Sequence, residues 1–107
     1  AARELLAGET PTAIFVANDQ MALGAYRAIL ESGLRIPQDI SIIGCDDIDE
    51  ACQFPTPLTT INQHWDRAGH ETLRVALDML RTGSPSTVSI PTELVIRKST
   101  APPQQSA

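Results

Sequence analysis

Basic residues are scarce in this chain of 107 residues: eight Lys and Arg stand against thirteen Asp and Glu, a net charge of −5. Those eight are scattered, whereas direct contact with a phosphate backbone calls for a basic patch. The stretch is therefore not expected to touch DNA itself. Cysteine is almost as rare. Cys45 and Cys52 form no metal-ligand pattern and lack the density of a secreted disulfide scaffold. They read as free thiols, which favours the cytoplasm. No run approaches the roughly 20 apolar residues of a membrane span, and no signal peptide is visible. Catalytic templates are missing too. Gly24 and Gly33 lie in and after a helix, not in a phosphate-cradling turn. Ser32 and Ser41 lack the strand-to-helix elbow of a nucleophile. His64 and His70 lie six apart in the sequence, so on one helix they face different directions and cannot share a metal as i, i+4 histidines do. Asp46, Asp47, Asp49 and Glu50 lack the glycine and final glutamate of a calcium loop and read as a solvated acidic turn. No metal, cofactor or enzymatic activity is expected.

The length allows one modest domain at most, and the 42% hydrophobic content is that of a globular core. Residues 12–47 organise it. Thr12–Ala17 is a β-branched and aromatic run suited to a strand buried on both faces. Asn18-Asp19 breaks the run, and either side chain can cap a helix starting near Gln20. Gly33 ends that helix, Leu34 follows as the apolar contact of a glycine cap, and Pro37 prevents continuation. Ile40–Gly44 is a second apolar run with Asp46-Asp47 just beyond it. Strand, helix and strand with apolar runs imply a parallel βαβ unit with a right-handed crossover.

At about 100° per residue, Met21, Ala22, Ala25, Ala28 and Ile29 share the helix face suited to the sheet. Leu23, Tyr26 and Leu30 form a second apolar stripe, to be covered by a neighbouring element or by a second subunit. Ile48–Thr56 is polar with one short helical possibility. Leu58–Ile61 reads as a third strand. A long helix runs from about His64 to Thr82 and ends at Gly83. Its apolar arc holds Trp65, Ala68, Thr72, Leu73, Ala76, Met79 and Leu80. Val88–Ile90 fits a short edge segment. Glu93–Lys98 is expected as a last strand, Leu94 and Ile96 alternating against Glu93, Val95 and Arg97. Residues 101–107 should be a disordered tail. Ala1–Ala7 favours helix but has no cap before it, which reads as a chain starting inside a helix, the C-terminal part of something longer.

What remains is recognition chemistry. In open α/β sheets, ligands sit outside the carboxyl ends of the strands, where Asn18 and Asp46 fall. Asn18 offers a donor and an acceptor, Asp46 two acceptors, and Gln63 a further amide at the end of the third strand. Such groups suit adjacent hydroxyls of a sugar or polyol, while Trp65 offers an apolar face for a ring. Each also has a plainer role: Asn18 as helix cap, Asp46 as cap of a short helix at 47–52, Gln63 as a turn residue, Trp65 as core.

Four collinear stretches carry a family likeness. Val16–Ala25 (VANDQMALGA), Pro37–Asp47 (PQDISIIGCDD), Pro57–Gln63 (PLTTINQ) and Leu94–Thr100 (LVIRKST) resemble the effector domain of the lac/gal repressor family of bacterial transcription regulators. The resemblance implies an α/β fold, a parallel sheet flanked by helices and similar to periplasmic binding proteins, present here as an incomplete fragment. Residues 1–100 would be the C-terminal part of a sugar- or effector-binding domain. Within it, about 1–61 would lie in the C-terminal subdomain, 62–83 would form a helix of the N-terminal subdomain, and 84–100 would return. It further implies a small-molecule effector bound by Asn18, Asp46, Gln63 and Trp65. It implies a homodimer through Leu23, Tyr26, Arg27, Leu30, Cys52 and Phe54. Operator DNA would be bound only by an absent N-terminal helix-turn-helix. His64 and Cys45 depart from the family's frequent acidic and aromatic residues, which bears on the identity of the ligand. A periplasmic sugar-binding transport protein is the alternative of the same fold, although Asp46-Asp47 stands where those often have aspartate-glycine. A sugar kinase would need a phosphate loop or catalytic base that the sequence lacks.

Overall fold

A computed structural model describes residues 1–104. Helix α1 (Ala2–Leu6) leads to strand β1 (Ala13–Phe15), helix α2 (Asp19–Glu31) and strand β2 (Ser41–Ile43). A 3₁₀ turn at Asp49–Gln53 precedes β3 (Thr60–Asn62), α3 (Trp65–Thr82) and β4 (Glu93–Val95). The chain divides into two compact units, one of Ala1–Asn62 with the chain from Leu94 onward, the other Gln63–Glu93.

In the first unit β1 and β2 pair in parallel, with Ile14 opposite Ile42. A parallel bridge between Ile43 and Thr59 continues the pairing beyond β2. α2 connects the two strands, as the apolar–cap–helix–glycine–apolar pattern requires. Its start is capped by Asn18, whose Oδ1 accepts the Met21 N–H at 2.8 Å. Its end is a Schellman motif: Leu34 N–H donates to Ile29 O and Gly33 N–H to Leu30 O, with Gly33 at φ 77°. Next, the Arg35 guanidinium grips Asp39 through two nitrogens at 2.8 and 2.7 Å. These bonds hold the Asp39 carboxyl down at about 2.

The core gathers the inner face of α2 (Ala22, Ala25, Ile29) with Ile40, Ile42 and Leu58. Met21 and Phe15 are exposed, because the groove of about 410 Å³ between α1, β1 and α2 is unfilled among the described residues. β1 is thus not buried on both faces. Of the second stripe, Tyr26 is covered by a neighbouring segment of the same unit: its hydroxyl accepts the Thr56 N–H at 2.7 Å, and its ring meets Phe54 edge-on at 5.6 Å. The last segment faces the other way from its hydrophobicity. Arg97 and Val95 turn partly inward and Ser99 is buried, while Leu94 and Ile96 are exposed. Arg97 and Ser99 win the inner positions because they satisfy buried backbone groups that an aliphatic side chain cannot.

Ser99 Oγ accepts the Thr59 N–H at 2.8 Å and donates to Ile42 O at 2.6 Å. Ala101, expected in a disordered tail, is anchored instead: its N–H donates to Ser41 Oγ, which donates back to Ala101 O. Residues 105–107 of that tail lie outside the described residues.

The second unit is α3 and the extended chain after it. Gly83 closes α3 in the left-handed conformation at φ 69°. No residue of α3 is buried, and its apolar arc, read as a packing face, is open, with Leu80 83% exposed. Residues 88–90 form no strand.

Candidate effector-binding site

Two sequence-selected groups come together in the first unit. β1 and β2 run in parallel and end side by side, and the Asp19 N–H reaches Cys45 O at 2.8 Å across the gap. Asn18 and Asp46 immediately flank that bond, so both stand at the carboxyl rim of the sheet. Asn18 is the cap of α2 as well as a rim residue, the cap using its Oδ1. Asp46 does not cap a short helix. The 3₁₀ turn begins after Ile48 and has no side-chain cap. Asp46 instead has φ 116°, and its N–H donates to Ile61 O at 2.9 Å.

The sequence offers Asp19 only as an alternative helix cap. Its carboxylate is fully buried directly beneath the rim. Oδ1 accepts the Thr60 hydroxyl at 2.6 Å and Oδ2 the Ile48 N–H at 3.0 Å. The start of α2 supplies a favourable dipole for that charge. Asp19 thus ties the helix start, the segment after Asp46-Asp47 and β3 together. The local cue, two adjacent polar residues at a strand end, was read as alternative caps; the structure divides the work, Asn18 to the cap and Asp19 to the core.

Asp47 also differs from a solvated acidic residue. Its Oδ1 accepts from Arg97 Nη2 at 2.7 Å and its Oδ2 from Asn62 Nδ2 at 2.9 Å. Asp49 and Glu50 are exposed. Among the described residues no group of three His, Cys, Asp or Glu is placed to hold a metal ion, and no helix is long and apolar enough to cross a membrane.

Gln63 and Trp65 belong to the second unit. They flank His64, whose left-handed backbone, at φ 51°, turns the chain into α3. Trp65 is not core: it is 60% exposed at the first position of the helix. The places of Asn18 and Asp46 at neighbouring strand ends are therefore set within one unit, and Gln63 and Trp65 are presented at the head of a helix in the other.

The residues expected at a dimer face fall into two groups. Leu23, Arg27, Leu30 and Cys52 are exposed, Arg27 held by Glu31 at 2.7 Å and the Cys52 thiol directed to Asp49 O. Tyr26 and Phe54 are only 3% and 6% exposed and support that face from below. A pocket of about 250 Å³ beside Leu23, lined also by Gln20, Ile48 and Glu50, lies on the same side.

Residues 1–100 match the family described as periplasmic binding protein-like domain. The HTH-type transcriptional repressor PurR of Mannheimia succiniciproducens is 44% identical over 99 residues, covering 91% of this chain and 30% of that protein. A dimeric Lac repressor with an 11-residue C-terminal deletion superposes with a TM-score of 0.85 at 42% identity, over 96% of this chain and 39% of that one. The transcriptional regulator CelR in its cellobiose complex superposes with a TM-score of 0.87 at 34% identity, over 92% and 31%. The chain spans about 30% of the length of the curated relatives it matches. With this fold, these motifs and this rim of strand ends, the chain belongs to the periplasmic binding protein-like domain family, in the form that the lac/gal-type repressors share.

Proposed function

We propose that these residues are the effector-binding and dimerisation portion of a bacterial transcription regulator, a repressor that senses a small sugar or similar polar metabolite in the cytoplasm. DNA binding would belong to a helix-turn-helix outside this stretch, in keeping with the net charge of −5 and with relatives that are repressors and not transport proteins. The observation that carries the reading is the placing of Asn18 and Asp46 at adjacent parallel strand ends. A carboxylate there accepts from two hydroxyls, and the amide supplies donor and acceptor for the same polyol. Gln63 and Trp65 would complete the contacts, the indole as an apolar face for the ring.

In this reading about 1–61 belong to one subdomain and 62–83 to the other, with 84–100 returning, and Asn62-Gln63 lies at the crossover. Effector acts by population shift. It must bind one arrangement of the subdomains more tightly than the other, and DNA must then change effector affinity by the same factor. The chemistry is binding, with no bond made or broken.

Titration of the intact protein with ribose, galactose and cellobiose, alongside mobility shifts on DNA selected by that protein, tests this. A sugar that binds should also change DNA affinity. Asp46→Ala should weaken that sugar about 10- to 100-fold, the loss of one or two hydrogen bonds to a charged group, with little change in thermal midpoint. Unaltered affinity would reduce Asp46 to a turn residue, and an intact protein that binds no DNA would defeat the regulator reading.

A further inference from the structure

We propose that Arg97 is the positioning residue of this site, holding the Asp46-Asp47 turn in the conformation that presents the Asp46 carboxylate; this rests on the effector reading above. Two successive non-glycine residues have positive φ, 116° at Asp46 and 54° at Asp47. L-residues rarely adopt such conformations, and those that do are held there by their surroundings. The turn is gripped on its backbone and on the Asp47 side chain. Asp46 N–H donates to Ile61 O at 2.9 Å, and Asp47 N–H reaches Thr60 Oγ1 at 3.4 Å. The Asp47 carboxylate takes Asn62 on one oxygen and Arg97 on the other.

Arg97 does more than neutralise that carboxylate. Its Nη1 donates to Leu58 O at 2.9 Å while Nη2 holds Asp47, and its own N–H donates to Thr59 Oγ1 at 2.9 Å. One rigid guanidinium therefore spans the chain entering β3 and the turn leaving β2. The pair is largely withdrawn from water, at 21% and 14% side-chain exposure, so solvent screens it weakly. A lysine has the charge but not the fork, and cannot hold both partners in fixed geometry. The orientation of Asp46 is thus set by a residue fifty positions after Asp47.

Glycine visits positive φ freely. If the work of Arg97 is to hold this turn, glycine at position 47 should make Arg97 dispensable. In the intact protein, Arg97→Ala should weaken the sugar that binds the wild type at least tenfold, and Arg97→Ala with Asp47→Gly should recover it to within threefold. Arg97→Ala affinity within threefold of wild type would overturn the proposal, as would a double variant no tighter than the single one. Should Arg97→Ala not fold, Arg97→Lys followed by amide exchange decides. The Asp46 N–H should exchange at least tenfold faster while the core Ile42 N–H is unchanged; equal protection at Asp46 overturns the clamp. If none of the three sugars binds the wild type, the exchange result alone upholds or overturns the clamp.

Discussion

A Cβ added at Gly44 would collide with Asp19 Oδ1 and lie 3.0 Å from Leu58 Cδ2. This glycine is needed for close approach, not for backbone freedom, because it leaves room for the buried carboxylate that joins α2 to β3. Gly44→Ala should therefore destabilise the intact protein by about 1–3 kcal/mol, the usual cost of overpacking a core. Urea denaturation measures it, and an unchanged midpoint would mean that Asp19 has space to withdraw. Asn18 was legible from sequence because a cap is a local arrangement, complete within three residues. Asp19 was not, because its partners Ile48 and Thr60 lie 29 and 41 positions away. No periodicity carries that information.

Among the elements, α2 shows where pattern succeeds and where it stops. Spacing of about 100° per residue puts Met21, Ala22, Ala25, Ala28 and Ile29 against the sheet; the last four are buried and Met21 is exposed. It groups Tyr26 with Leu23 and Leu30 without deciding whether the same chain or a second subunit covers them, since nothing local announces that Phe54 and Thr56 will close over that ring. The 58–61 run is legible as a strand region and 93–98 as an alternating strand, but the sequence does not say which face of that last strand turns inward. Alternation reveals that two faces differ, and the requirement of Leu58 O, Thr59 and Ile42 for polar partners decides which face turns inward. What stays exposed of the second stripe, Leu23 and Leu30, is the part left for a second subunit to cover. Replacing both with Arg should convert a dimer of the intact protein to monomer at micromolar concentration by sedimentation velocity, burial of charge in an apolar interface being unfavourable. Unaltered sedimentation would remove this stripe from the interface.

At the scale of the whole chain, large apolar side chains stand in water to a degree unusual for a self-sufficient domain: Leu80 at 83%, Ile96 at 73% and Phe15 at 62% exposure. The fold class was readable from motif order, but these faces were not, because periodicity marks a surface as apolar without saying what lies on it. The isolated 107-residue chain should accordingly self-associate in light scattering and bind any sugar at least 100-fold more weakly than the intact protein by calorimetry. Equal affinity would show that these residues alone complete the site.

The Arg97, Ser99 and Ala101 contacts also dictate an order of events on the ribosome. β1, α2 and β2 are close in sequence and assemble early, since local contacts form fastest. The remaining edge of β2 and the turn beyond it depend on residues made 50 to 60 positions later. A nascent chain that has reached Gly83 already contains Asn18, Asp46, Gln63 and Trp65, yet lacks the guanidinium and hydroxyl that fix the rim. On the effector reading, competence to recognise a ligand waits for Arg97 and Ser99 to leave the exit tunnel.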